Sequence, residues 1–166
     1  MTAEPQMKTP QADFRIAAIA FDEDSVVTRP RPIEQEREVA IVDILDKNFF
    51  RLKDSPGGPY YIILGVTENR LVLDVSLKGG VPHGKIMLSL TPLAKVIKDY
   101  FLVCDTYYKA IRTAPPHQIE ALDMGRRALH DEASTLLKKR LEDKVELDFD
   151  TARRLFTLIC VMHMRG

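Results

Sequence analysis

Residues 71–111 read LVLDVSLKGGVPHGKIMLSLTPLAKVIKDYFLVCDTYYKAI, and the spacing of their apolar side chains changes near Leu90. Before this point, apolar and polar residues alternate, which is the period of a half-buried strand. After it, apolar residues recur every three or four positions through Ile111, which is the period of an amphipathic helix. The change predicts a β-rich first half and a helical second half.

The first half contains several short apolar runs separated by turn residues. The run 60–66 is apolar on both faces and is predicted to be a central strand, whereas 71–77 alternates and has one wetter face. Glu68 and Asn69 are expected to form the turn between these two strands. We expect an antiparallel meander of about four or five strands. Strands are predicted at 14–21, 49–52, 60–66, 71–77 and 85–90, and an early helix at 32–47.

Two glycine-rich stretches, DSPGGP at 54–59 and KGGVPHGK at 78–85, invite a phosphate-binding interpretation with Lys78 or Lys85 beside the anion. A phosphate loop needs a helix directly after it, but the second stretch lies between two predicted strands. A hairpin connection is therefore the favoured interpretation.

The second half is predicted to form helices at 92–113, 116–142 and 151–165. Pro115 and Pro116 end the first of these helices, and Asp148 or Asp150 is expected to cap the last. The sequence thus predicts an α+β fold in which the early helix and the three C-terminal helices form a layer, mainly on one face of the sheet. We expect a disordered tail at 1–12 and a single domain at 13–166.

Composition limits the functional classes. Apolar residues make up 45% of the chain, and the 24 basic residues equal the 24 acidic ones, so we expect neither nucleic acid nor a membrane as partner. Cys104 and Cys160 show no metal-binding spacing and are expected to be buried, reduced thiols in the cytoplasm. We expect no cofactor and no metal.

Arg126 falls inside the apolar stripe of the second C-terminal helix, and a guanidinium there requires a partner. The favoured interpretation is an internal ion pair, to Asp123 or to an acid on another helix. The alternative is an anion pocket in which Arg126 holds a carboxylate or phosphate and His130 transfers protons. Tyr107 or Tyr108 would then line the pocket.

The last helix is apolar nearly all round at 155–164, which indicates either a central place in the core or burial by a second subunit. Core placement is favoured, and a homodimer is the alternative. The leading functional hypothesis is a non-catalytic binding or regulatory protein that contacts an unknown protein partner or its own copy. The second hypothesis is a small-molecule anion binder, or an enzyme, that uses Arg126 and His130.

Four segments carry a resemblance: PIEQEREVAIVDIL (32–45), DYFLVCDTYYKAIRTAPP (99–116), IEALDMGRRALHDEAS (119–134) and DFDTARRLFTLICVMHMRG (148–166). In these the chain resembles an uncharacterised family of small alphaproteobacterial proteins. The resemblance implies a bacterial cytoplasmic protein, and it brings no activity, cofactor or catalytic residue with it.

Overall fold

The structure is a computed structural model that describes residues 13–22 and 31–163, apart from the side chains of 31–34, 78 and 163. The predicted tail at 1–12 lies outside the described residues. In chain order the elements are β1 (Ile16–Phe21), α1 (Arg31–Asp46), β2 (Phe50–Leu52), β3 (Tyr60–Thr67), β4 (Arg70–Leu77), β5 (Val81–Ser89), α2 (Ala94–Thr113), α3 (Pro116–Leu141), β6 (Val145–Leu147) and α4 (Phe149–His163).

The main sheet has the strand order β1-β3-β4-β5. The hairpin between β3 and β4 turns at Glu68 and Asn69, whose positive φ angles of 51° and 60° give the twist that a two-residue hairpin needs. As the apolar pattern predicts, β3 is a central strand. The fold is α+β, as expected.

Strand β1 corrects the predicted all-antiparallel meander. Strands β3, β4 and β5 are antiparallel, but β1 pairs with β3 in parallel, with Ile19 opposite Ile62. A connection that contains α1 is long enough to return the chain for parallel pairing. Strand β2 leaves the main sheet and pairs with β6, a strand that sequence reasoning missed because three residues are too few to show a period.

Strand β5 begins four residues earlier than the predicted 85–90. Its first residues are exposed, so they carry no apolar alternation that the sequence could reveal. A turn at Lys78–Gly80 joins it to β4, and Gly79 and Gly80 adopt positive φ angles. The glycine-rich stretch is a hairpin connection, as favoured.

The helices cover one face of the sheet. Alternate side chains of the strands are buried on that face, as Ile62 and Leu73 show, whereas Ile63 and Met87 on the opposite face are about half exposed. Helix α4 packs against both α1 and α3, and α2 packs against α3. The core therefore lies between the sheet and this helical layer.

Helix α4 begins directly after Asp148, whose Oδ1 accepts a hydrogen bond from the Thr151 backbone N–H at 2.9 Å. Asp148, and not Asp150, is therefore the N-cap. Apolar residues of α4 from Leu155 to Met162 are buried by the chain itself. This burial accounts for the apolar circumference without a second subunit, so the homodimer stays a prediction that this helix no longer supports.

Two phenylalanines of α4 provide a matched test of its core position. Phe156 is fully buried, whereas Phe149 is 38% exposed. We expect Phe156→Ala to lower the free energy of unfolding by about 3–5 kcal/mol, because it leaves a cavity in the core, and Phe149→Ala by less than about 1 kcal/mol. Urea denaturation measures both. Equal losses for the two variants would contradict the placement of α4.

Candidate functional site

A cleft of about 790 Å³ lies where α2, α3 and the first half of α4 meet. We call it the arginine cleft because three arginines from two helices line it. Its lining residues are Tyr100 of α2, Arg126, Arg127, His130 and Asp131 of α3, and Phe149, Asp150, Arg153 and Thr157 of α4.

Arg126 is half-buried in the arginine cleft. Its Nη2 is hydrogen-bonded to Asp123 Oδ1 one turn before it, and its guanidinium lies over the Tyr107 ring at 4.8 Å. Burial acts to lower the pKa of Arg126, but the hydrogen bond and charge of Asp123 outweigh it and raise that pKa. Asp123 is thus the internal partner that the sequence suggested. The Nε atom of Arg126 is buried and has no hydrogen-bond partner in the described part of the chain.

Asp123 serves two arginines. Its other oxygen, Oδ2, lies 3.1 Å from Arg127 Nε, and the Arg127 side chain is 74% exposed. Hydrogen bonding from Arg126 is the main reason that the pKa of Asp123 is lowered, and the charge of Arg127 adds to it. The carboxylate therefore stays ionised at neutral pH and fixes both guanidiniums at one end of the cleft.

His130 is held by a hydrogen bond and by two aromatic rings. Its Nε2 lies 2.9 Å from Thr157 Oγ1, and its ring meets those of Tyr100 and Phe156 edge-on at 5.4 and 5.0 Å. The Thr157 hydroxyl donates its hydrogen to the Arg153 carbonyl, so we assign the proton of the histidine to Nε2.

The pKa of His130 is lowered to about 4, mainly by burial and further by the positive charge of Arg153, against a raising effect of Asp131. The ring is therefore neutral near pH 7, and its Nε2 proton is engaged with Thr157. A group poised for proton transfer at neutral pH has a pKa near 7. The predicted role of His130 as acid and base does not fit this environment.

The structure places Tyr107 and Tyr108, the two tyrosines predicted to line the anion pocket, in different surroundings. Tyr107 lies under the Arg126 guanidinium and does not line the cleft, and Tyr108 faces a different groove. Tyr100, two turns before Tyr107 on α2, is the tyrosine of the cleft. Sequence reasoning also missed Arg153, which lies on α4 and is one of the few charged residues of that helix.

A second depression, the α1–α2 groove, has a volume of about 560 Å³. Helix α4 forms its floor, and α1 and α2 form its walls. The groove shares Tyr100 and Thr157 with the arginine cleft. Its lining residues are Gln35, Glu36, Val39, Ala40 and Asp43 of α1, Tyr100, Cys104 and Tyr108 of α2, and Thr157, Cys160 and Val161 of α4.

The α1–α2 groove combines apolar surface with unpaired acids. Val39 and Tyr108 are 59% and 54% exposed on its opposite walls. Burial raises the pKa of Glu36. The pKa of Tyr108 is raised as well, first by burial and then by the negative charge of Glu36, which shows that the two groups lie near each other. Within residues 35–162, neither Glu36 nor Asp43 is seen in an ion pair.

Both cysteines line this same groove as free thiols, although they are far apart in the sequence. Cys160 is buried and Cys104 half-buried, and burial is the main reason that both pKa values are raised. A thiol with a raised pKa is a poor nucleophile at neutral pH, so neither cysteine is equipped for covalent catalysis.

The described residues contain no group of three His, Cys, Asp or Glu side chains that could hold a metal ion. No helix in 31–163 is both long and apolar enough to cross a lipid bilayer.

The sequence matches the model of the "Uncharacterised protein family (UPF0262)" over residues 13–165. A relative from Azorhizobium caulinodans is 56% identical over 154 residues, which cover 92% of this chain and 95% of the relative. One from Caulobacter vibrioides is 54% identical over 156 residues, covering 94% and 97%, and one from Nitrobacter winogradskyi is 49% identical over 162 residues, covering 96% and 97%. All three are named "UPF0262 protein", which states no activity. No solved structure matches the chain. These matches confirm the resemblance to an uncharacterised alphaproteobacterial family.

Neighbouring arginines on α3 allow a matched test of the ion pair. We expect Arg126→Ala to lower the free energy of unfolding by about 1–2 kcal/mol, because it removes a partly buried ion pair and a contact with the Tyr107 ring. Asp123 keeps Arg127, which limits the loss. Arg127→Ala should cost less than about 0.5 kcal/mol, since its side chain is largely exposed. Urea denaturation measures both, and an Arg127 variant as unstable as the Arg126 variant would contradict this ranking.

The pKa of His130 predicts how stability depends on pH. That pKa is about 4 in the folded protein and about 6.5 in the unfolded chain, so the unfolded chain binds more protons between these values. The contribution of His130 to the free energy of unfolding is fully present above about pH 6.5 and is lost as the pH falls towards 4. We expect a loss on the order of 1–2 kcal/mol, because the residue is only half-buried and water screens part of its charge.

Denaturation at several pH values from 7 to 4 measures this loss. In His130→Gln the pH dependence should be shallower, since Gln does not titrate and can still donate to Thr157. His117→Gln, at an exposed position of α3, should behave like the wild type. An unchanged slope in His130→Gln would show that the histidine is not held neutral.

Proposed function

The chain belongs to the UPF0262 family, and from this premise we propose that it is a non-catalytic binding protein that acts through contact with a protein partner. The α1–α2 groove carries the proposal: its floor is apolar, its walls expose Val39 and Tyr108, and its acids form no ion pair with a described residue. The neutral His130 and the unreactive thiols support binding over chemistry. The cytoplasm is the location we propose, because free thiols persist there.

The shape of the groove suits a helix. Two helices form its walls and a third forms its floor, and amphipathic helices commonly bind by laying an apolar face into such a groove. Cys160 and Val161 supply apolar floor. Aromatic and aliphatic side chains on the rims, here Tyr108 and Val39, are typical anchors of a protein interface.

The charge of the groove selects the partner. Glu36 and Asp43 are seven residues apart on α1, which is two helical turns, so both carboxylates lie along one wall. Among the residues that the structure describes, no lysine or arginine lines the groove. The complementary partner is an amphipathic helix with basic residues two turns apart, since opposite charges across an interface guide association and exclude wrong partners.

A second copy of the chain is a poorer occupant than a basic helix. The exposed surface of α1 carries Glu36, Glu38, Asp43 and Asp46 against Arg37 among its described side chains. Two copies that met along α1 in a symmetric contact would bring these acids together, and like charges in an interface are unfavourable. We therefore propose a heterologous partner for this groove.

Site-specific photo-crosslinking in cells of the native host tests this proposal. A photoreactive amino acid at Val39 should link the protein to a partner segment with an amphipathic pattern and basic residues two turns apart, as mapped by mass spectrometry. The double variant Glu36→Lys, Asp43→Lys should reduce the yield of this adduct by at least about tenfold, because it reverses the charge of the wall.

Two controls give the experiment its specificity. Glu120→Lys with Glu132→Lys makes the same change of net charge at exposed positions of α3 and should leave the yield unchanged. The same photoreactive group at Met87, on the opposite face of the sheet, should not give this adduct. Crosslinks from position 39 to a second copy, to residues 1–12 or 23–30 of the same chain, or to nothing would overturn the proposal.

A further inference from the structure

We propose that the arginine cleft binds a small organic anion between α3 and α4, with its carboxylate or phosphate group at the end formed by Arg126 and Arg127. This site is separate from the partner groove, and the inference does not rest on the proposed function. It follows from the donors, the charge and the walls of the cleft.

The three arginines have hydrogen-bond donors to spare. A guanidinium has five N–H donors, and among the described residues Arg126 is seen to donate only from Nη2 to Asp123; its Nε is buried, so the donors left for a ligand are those of its terminal nitrogens. Arg127 reaches Asp123 through Nε. Arg153 lies 3.6 Å from Asp131 and 3.5 Å from Asp150, longer than the 2.7–2.9 Å or so that is typical of a charge-assisted hydrogen bond. Donors from two helices thus converge on one open space.

The charges of the cleft favour an anion at one end. Three arginines line it against two aspartates, and both aspartates flank Arg153. Asp123 fixes Arg126 and Arg127 without itself lining the cleft, so these guanidiniums form the more positive end. Arginine binds the planar carboxylate and the tetrahedral phosphate with two parallel N–H bonds, which defines the class of ligand.

The walls indicate that the anion has an organic body. Tyr100 stands on the α2 side of the cleft, and Phe149, 38% exposed, stands on the α4 side. A volume of about 790 Å³ lies in the range of small-molecule sites and is large for an inorganic ion. The ligand is therefore a carboxylate or phosphate attached to a ring or hydrocarbon body.

Calorimetric titration with four simple probes tests the site: benzoate, phenyl phosphate, inorganic phosphate and phenol. We expect benzoate or phenyl phosphate to bind more tightly than either inorganic phosphate or the uncharged phenol. The stronger of the two identifies the anionic group. Arg126→Lys and Arg127→Lys should each weaken binding by about tenfold or more, because lysine keeps the charge but loses the two-pronged geometry.

Arg140→Lys is the matched control, since this residue is exposed in the last turn of α3 and far along the helix from the cleft. It should bind the probes like the wild type. Circular dichroism establishes that each variant is folded. No binding of benzoate or phenyl phosphate up to about 10 mM, where even weak sites fill, would overturn the proposal, as would binding that both cleft variants retain. Neither result bears on the crosslink from Val39.

Discussion

Burial of α4 is the constraint on which the rest of the structure depends. A helix that is apolar nearly all round must be covered on nearly all sides. Here α1 and α3 pack against α4, and its buried side chains join those of the sheet in one core. The few polar residues of α4 emerge where this cover is incomplete. Arg153 and Thr157 lie there, and both depressions of the surface meet at Thr157.

Thr157 shows how this constraint shapes the chemistry. Its hydroxyl donates to the Arg153 carbonyl one turn before it, so it has only acceptor capacity left for His130. The ring of His130 is then held between Tyr100 and Phe156, and the positive Arg153 stands near it. Burial by these rings and the charge of Arg153 favour the neutral imidazole, and the hydrogen bond to Thr157 fixes which nitrogen carries its proton. The core thus holds this histidine as a neutral ring packed between two aromatic side chains.

The sequence was sufficient for those features that depend on local pattern. The change of period near Leu90 predicted the division into sheet and helices, because every second side chain of a strand, but every third or fourth of a helix, faces the core. The turn residues Glu68 and Asn69 predicted the central hairpin. The parallel pairing of β1 was beyond this reasoning. Strand direction is set by where a long connection leads the chain, and the apolar pattern of a strand is the same in either direction.

The candidate site likewise has residues that the sequence could predict and residues that it could not. Arg126, Asp123 and His130 lie on one helix, so helical spacing alone brought them together. Arg153 and Phe149 come from α4, and only the crossing of two helices places them opposite Arg126. Tyr100 was missed in favour of Tyr107 because both lie on the apolar stripe of α2, and the spacing cannot tell which turn of α2 faces which turn of α3.

Two side chains separate the two depressions. Tyr100 and Thr157 line both the arginine cleft and the α1–α2 groove, so a change at either residue alters both surfaces. Glu36 lines only the groove, and Arg126 lines only the cleft. Because they share this wall, the two surfaces are neighbours across a single layer of side chains. The arginine cleft offers guanidinium donors, and the α1–α2 groove offers the carboxylates of Glu36 and Asp43. A fold built around one buried helix has, in this way, placed a cationic and an anionic surface side by side.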